Sequence, residues 1–458
     1  MVFTPEKAAI RFGEGLSPQQ TLPSSIDALL EQLTGPDHSA EAHQIPPFGA
    51  LLPALSKVED ARKAYRRARG TEQEEARQNA FKRARRVLLG DRMRDHQQFL
   101  ARSLTTDAPF RERLVRFWGD HFTSAPRQPF LAYTGPNYLE EAIRPHIAGR
   151  FADMLKAAVT HPSMLVYLDQ VASFGPNSRA ARGRRGLNEN LAREVIELHS
   201  LGVGGAYTQR DVKQLAKLLT GLTAGFPKGF AFRPARAEPG AEQVLGRSYG
   251  GDAPSLDDIY AVLEDLATHP DTGAHLARKL AVHFCSDAPD EGMVASMADA
   301  YRDNSGALLS VYEAMLRHPF AWESFGQKVK QPIDFVTSSL RAIGLPAASL
   351  GKLSRKEMQS YLTGPMASMG QPWFRPLGPD GWAEAAEAWI TPQGLAARLQ
   401  WAMAAPSAFF RGLPDPRGFV ETSLGSLADE RLRFVAGAAE TRREGIALVL
   451  ASPGFQRR

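Results

Sequence analysis

The chain has a single cysteine, Cys285, in 458 residues. That excludes an intramolecular disulfide framework and a multi-thiolate metal site, leaving carboxylate and imidazole as metal ligands worth considering. No run of 18 apolar residues occurs, so no segment reads as a membrane-spanning helix. The start, MVFTPEKAAIRFGEGLSP, lacks the apolar stretch of a secretory leader. The expected location is therefore the cytoplasm, with periplasmic export alongside a signal-bearing partner as the alternative. Walker A and H-E-x-x-H motifs are absent, as is the Glu-x-x-His spacing of di-iron bundles. Segments alternating with period two are scarce.

Helical periodicity is plentiful. FRERLVRFWGDHF places Leu114, Phe117, Trp118 and Phe122 on one stripe, and DVKQLAKLLTG does the same with Val212, Leu215, Leu218 and Leu219. Thr208 with Asp211 three residues on marks a capped helix start. Segments 255–270, 272–284, 306–319 and 394–404 read as further helices. The fold class expected is all-α, with many short helices and long Pro/Gly-rich connections, plus a small β-hairpin near 224–235. His-Pro pairs at 161–162, 269–270 and 318–319 read as punctuation, with proline at the first helical position. Gly202-Val203-Gly204-Gly205 joins two helices and is no dinucleotide loop. Most of the C-terminal tryptophans (Trp373, Trp382, Trp389, Trp401) read as packing, with stacking on a ligand as the alternative.

Formal net charge is +5, from 55 basic and 50 acidic residues. Segment 57–96 carries 13 Lys/Arg and 7 Asp/Glu, a net of +6, so the remainder sums to −1. It reads as two helices broken at Gly70, the second ending at Gly90, with Ala80, Phe81, Ala84, Val87 and Leu88 facing inward. Glu72, Glu74 and Glu75 offer local pairing for its arginines. Nucleic acid is thus a disfavoured partner, and a solvated helix face is the simpler expectation.

The most unusual stretch is GLNENLAREVIELHSLGVGGAYTQRD, 186–211. With WGDHF (118–122), HPSMLVYLD (161–169), LLTG (218–221), ARKLAVHF (277–284) and GQPWFRPLGPDGW (370–382), it resembles a bacterial family catalogued as domain of unknown function 1800. The resemblance runs in order along nearly the whole chain, so one unit over 1–458 is expected. A division into halves 1–223 and 256–458, joined by 224–255, is the alternative. The resemblance implies a largely helical fold and no established activity. It also implies, as a partner, a phosphatase/sulfatase-like protein of the domain of unknown function 1501 family, encoded nearby in many genomes. Two departures stand out: Ala237-Glu238-Pro239-Gly240 replaces a His-Asp-Pro-Gly of many relatives, and Leu222 replaces a tryptophan.

On a helix from about Asn188 to His199, Asn190, Glu194 and Glu197 fall within about 60° of one another, at about 100° per residue. Two carboxylates and an amide could act as an acid/base pair or hold a divalent cation. Glu189 and Arg193 pair on another face. His199 falls nearly opposite Asn190 and joins the cluster only if the helix ends early. Outside ligands would come from His121 and Asp120, with Asp169 next. The candidate catalytic residues are Glu194, Glu197 and His199, and the candidate binding residues are His121, Asn190 and Arg193. The function expected is a helical enzyme or metal-binding protein with a carboxylate/histidine site. Against it stand a buried polar network that ties helices together and a non-catalytic assembly partner.

Overall fold

The computed structural model describes residues 2–126, 131, 133–181, 186–410 and 412–458. They are mostly helical, with two small antiparallel hairpins, Leu222–Gly225 with Gly229–Phe232 and Gly240–Val244 with Arg247–Gly251. The expected hairpin is present, shifted by two or three residues. The second uses the Gly/Pro-rich stretch that follows. Among the described residues no helix is long and apolar enough to cross a membrane.

The predicted helices form where periodicity and caps coincide. Gln209–Leu218 starts with the Thr208/Asp211 capping box, both of its hydrogen bonds present. Pro162 and Pro270 occupy first helical positions. The histidines before them have a use as well. Nδ1 of His161 accepts from Ser163 N–H at 3.1 Å, that of His269 from Asp271 N–H at 3.2 Å, and that of His318 from Phe320 N–H at 3.3 Å. His161 and His269 thus cap their helices with an imidazole nitrogen, supplying an acceptor that an Asn or Asp side chain supplies elsewhere, whereas the short helix after His318 is entered through Pro319.

Segment 57–96 departs from expectation at Gly90. One helix spans Leu52–Arg67, and the next runs unbroken over Glu74–Thr105. Phe99, Leu100 and Leu104 bury in the main cores and hold the helix together past the glycine, which costs only about 1 kcal/mol in a helix interior. Val87, expected inside, is 67% exposed, whereas Leu88 is buried. Glu59, Asp91 and Asp95 pair with Arg62, Arg94 and Arg92, but Glu72, Glu74 and Glu75 form no ion pair among the described residues. Glu74 accepts from Gly70 N–H. Arg66, Arg67, Arg69, Arg77, Arg83, Arg85 and Arg86 are exposed without an ion pair among the described residues.

Two large apolar cores form the interior. One includes Phe12, Phe110, Trp118, Phe151, Phe284 and Tyr312, and so draws on residues either side of 224–255. The other includes Phe335, Trp401, Phe419 and Phe455. A buried ionic seam links the helices Pro109–His121 and Pro332–Ile343. Asp334 accepts from Arg113 at 2.8 Å, Arg116 at 3.1 Å and Arg458 at 2.8 Å, and Arg116 reaches Glu14 at 2.6 Å. Three guanidiniums on one buried carboxylate repay its desolvation by charge-assisted hydrogen bonds.

Candidate functional site

Four chain segments converge at the C-terminal end of Pro109–His121. That helix delivers Asp120 and His121 in its last turn before Phe122 ends it. The segment from Asn190 delivers Glu194, Glu197 and His199. The helix Pro270–Phe284 contributes His275, Lys279 and His283. The fourth is the loop 371–384, with Asp380, Gly381, Trp382 and Glu384.

The segment carrying the conspicuous Glu and His residues is not one regular helix. Asn190–Glu194 is α-helical, and Val195–His199 is a π turn, closed by i→i+5 bonds. Ser200 Oγ donates to the Val195 carbonyl at 2.6 Å and so satisfies an oxygen the wide turn leaves open. The extra residue shifts the phase, so a wheel drawn at α-helical pitch misplaces His199. The histidine is buried and meets His121: their ring centroids lie 5.9 Å apart, and His121 Nε2 is 3.3 Å from the His199 carbonyl oxygen. Asn190 is exposed at the helix start. Arg193 pairs with Glu197 at 2.9 Å and with Glu189 at 3.6 Å, so it fixes the acidic face. Asp169 is exposed in a left-handed turn.

The third histidine, His275, was not among the sequence candidates. Its ring centroid lies 6.3 Å from that of His121, and its Nε2 is 3.1 Å from the Leu198 carbonyl oxygen. Gly202 makes room for it. A Cβ there would stand 2.7 Å from His275 Nδ1, and φ is +85°. Burial keeps all three imidazoles neutral, with neighbouring Lys279 adding to the effect: His121 is held well below its ordinary value, His199 near 3 and His275 near 4. Nδ1 of His121 and both ring nitrogens of His199 are buried without a hydrogen-bond partner among the described residues.

The carboxyls are shifted the other way. Burial raises Asp120 to about 8, helped by Glu384 and Asp380 and opposed by the Trp382 N–H and Lys279. Glu194 rises to about 7 through burial, Glu197 and Asp380. Burial lowers Lys279, against the pull of Asp120, Glu384 and Asp380. Asp380 acts on Asp120, Glu194 and Lys279 alike, so each lies within its electrostatic reach. This junction thus holds two carboxyls whose pKa values burial raises toward neutrality, beside an amine and three neutral imidazoles. Among the described residues, no group of three or more His, Cys, Asp or Glu side chains is set to hold a metal ion. His121 and His275 both direct Nε2 to backbone carbonyls.

The loop 371–384 closes this side. Gly381 (φ +86°) lies against Asp120, and a Cβ there would come within 2.7 Å of its carboxylate. Beyond it, His283 Nδ1 is 2.6 Å from Glu384 Oε1, and Lys328 reaches the other oxygen of Glu384 at 3.3 Å. Lys279, Asp380 and Glu384 were also outside the sequence candidates, and Trp382 was read there only as packing or a stacking ring. His275, Lys279 and His283 recur every four residues along one side of their helix, a polar stripe visible in the sequence.

A family model described as "Protein of unknown function (DUF1800)" matches residues 7–457. The chain belongs to this family. No curated protein and no solved structure matches it. In this family member the stretches WGDHF, NENLAREVIELHSLGV, ARKLAVHF and GPDGW, distant in sequence, are the segments that meet here. The departures lie elsewhere: Leu222 is a buried strand residue, and Glu238 is tied to Asn177 at 2.6 and 2.8 Å.

Proposed function

We propose that the cleft is the active site of a helical enzyme working by proton transfer. Asp120 and Glu194 exchange protons with the substrate, and Lys279 offsets developing negative charge. The supporting observation is that two carboxyls from separate segments, both within electrostatic reach of Asp380, are raised toward neutrality, where general acid–base catalysis is most effective. Glu197, held by Arg193, keeps Glu194 high by like-charge repulsion, and His121, His199 and His275 form a neutral wall. The test is a panel of p-nitrophenyl esters, phosphates, sulfates and glycosides. Turnover should fall by about 100-fold or more in Asp120→Asn and Glu194→Gln with folding retained. Turnover indifferent to both variants, or none with any substrate, counts against this reading.

A second reading uses the unpartnered nitrogens of His121 and His199 as ligands to a divalent cation. It requires a third group to swing in. Metal analysis of the purified protein tests it: stoichiometric metal lost in His199→Phe supports it, and absence of metal together with no stabilisation by added Zn²⁺ or Mn²⁺ removes it.

A further inference from the structure

A cavity lies on the other side of Asp120. It encloses about 870 Å³ of non-atom space, part of it open to solvent. A space of that size is in the range of small-molecule pockets and is ample for a two-ring aromatic body. Its walls are mostly apolar and aromatic: Phe117, Tyr138, Met366, Trp373, Phe374 and Trp382. Phe374 is held at φ +51°, an unusual backbone for a bulky residue, and its ring fills the space a side chain at Gly135 would need.

The polar groups around the cavity divide into two sets. One set is already satisfied. Gln371 Nε2 donates to Gln331 Oε1 at 2.9 Å, and Gln371 Oε1 accepts from Ile333 N–H at 2.8 Å. Arg113 and Arg116 are engaged by Asp334, and Arg116 also by Glu14. The other set is available. Ser124 Oγ is buried without a partner among the described residues, and the Asp120 carboxyl, once protonated, has an O–H to donate beyond the bonds it accepts from Trp382. Both line the cavity. Such a site favours a flat apolar body and meets it with one hydrogen-bonding end.

We infer that this cavity binds the body of an aromatic substrate carrying one carbonyl or hydroxyl oxygen, seated against Asp120 and Ser124. The inference rests on the acid–base reading of Asp120 and names the substrate class for it. Proton donation from Asp120 to that oxygen, with return of the proton when product leaves, balances without any co-reactant.

The probe is a propionyl-dimethylaminonaphthalene dye, flat, neutral and with one carbonyl, whose emission shifts to the blue in apolar surroundings. The full chain should bind it with a blue shift and with energy transfer from Trp373 and Trp382. Met366→Trp, which fills the cavity, should weaken binding about tenfold or more. Ser124→Phe serves the same purpose if that variant misfolds. Ser124→Ala should weaken the dye about fivefold and leave naphthalene unaffected. Unchanged dye affinity in the folded cavity-filling variants overturns the inference, as does no binding to the wild type. Dye binding in the cavity without turnover of the chromogenic panel leaves the cavity assignment standing and removes the acid–base reading. Turnover lost in Asp120→Asn without dye binding does the reverse.

Discussion

The backbone N–H of Trp382 donates to both carboxylate oxygens of Asp120, at 3.0 Å each. One amide serves a carboxyl that burial raises to about 8, so the bond lowers its pKa without fully offsetting desolvation. Between about pH 4 and 8 the folded protein then holds a proton the unfolded chain has released, so this group makes stability fall as pH rises. Asp120→Asn should flatten that fall, measured as the denaturation midpoint at pH 5 and pH 8. An equal fall in wild type and variant would show that Asp120 titrates normally.

The buried histidines carry the opposite sign. His96, His161, His199 and His275 are held near 4, 3, 3 and 4 by burial, and His121 lies well below its ordinary value. Above pH 6.5 both states hold these rings neutral. Below it the unfolded chain takes up protons first, and stability is lost as pH drops toward 4. His199→Phe should reduce the loss between pH 6.5 and 5 by about 2 kcal/mol. Parallel chemical denaturation curves at the two pH values decide it.

Gly381→Ala tests the fit of the loop against the cleft. The new methyl would lie within 2.7 Å of the Asp120 carboxylate, on a backbone with φ +86°. A loss of about 1–3 kcal/mol is expected. Gly70→Ala, with φ +77° and nothing within 4 Å, pays only the backbone cost and should lose less. Thermal unfolding of the pair separates crowding at the site from the general cost of a left-handed backbone.

Asp334→Asn would leave Arg113, Arg116 and Arg458 without their shared carboxylate. The expected cost is about 3–5 kcal/mol, because buried cations lose their partner. A replacement that costs under about 1 kcal/mol would mean that water reaches the seam.

The unpaired arginines of Glu74–Thr105 should be measurable on immobilised heparin. Wild-type protein should be retained at low salt and elute earlier when Arg83, Arg85 and Arg86 become Glu, with the fold intact. Equal retention would place the anion-binding surface elsewhere.

Local physics made much of this legible from sequence. The Thr208/Asp211 box, the proline starts and the apolar stripes each act within a few residues, so they survive into the fold. Glu194, His199, His121 and Asp120 were also visible as a set, because chemistry-bearing residues crowded into a few unusual stretches. What stayed hidden depended on distant contacts. Gly90 stays helical because residues 95–104 pack far from it. The π turn depends on the surroundings of Val195–His199, and no propensity announces it. Asp380 and Trp382 reach Asp120 across 260 residues of chain, approximately, through a loop whose course only tertiary packing sets.

The π turn at Val195–His199 also constrains how this chain can change length. Removing one residue from it would let the segment close as an ordinary α-helix at little local cost. The same deletion would turn His199 away from His121 and leave Ser200 without its bond to Val195. Deletion here is thus tolerable to the helix and ruinous to the cleft, whereas substitutions that preserve length spare this geometry. A single-codon deletion at this point would separate folding from function more cleanly than any point mutation in the cleft.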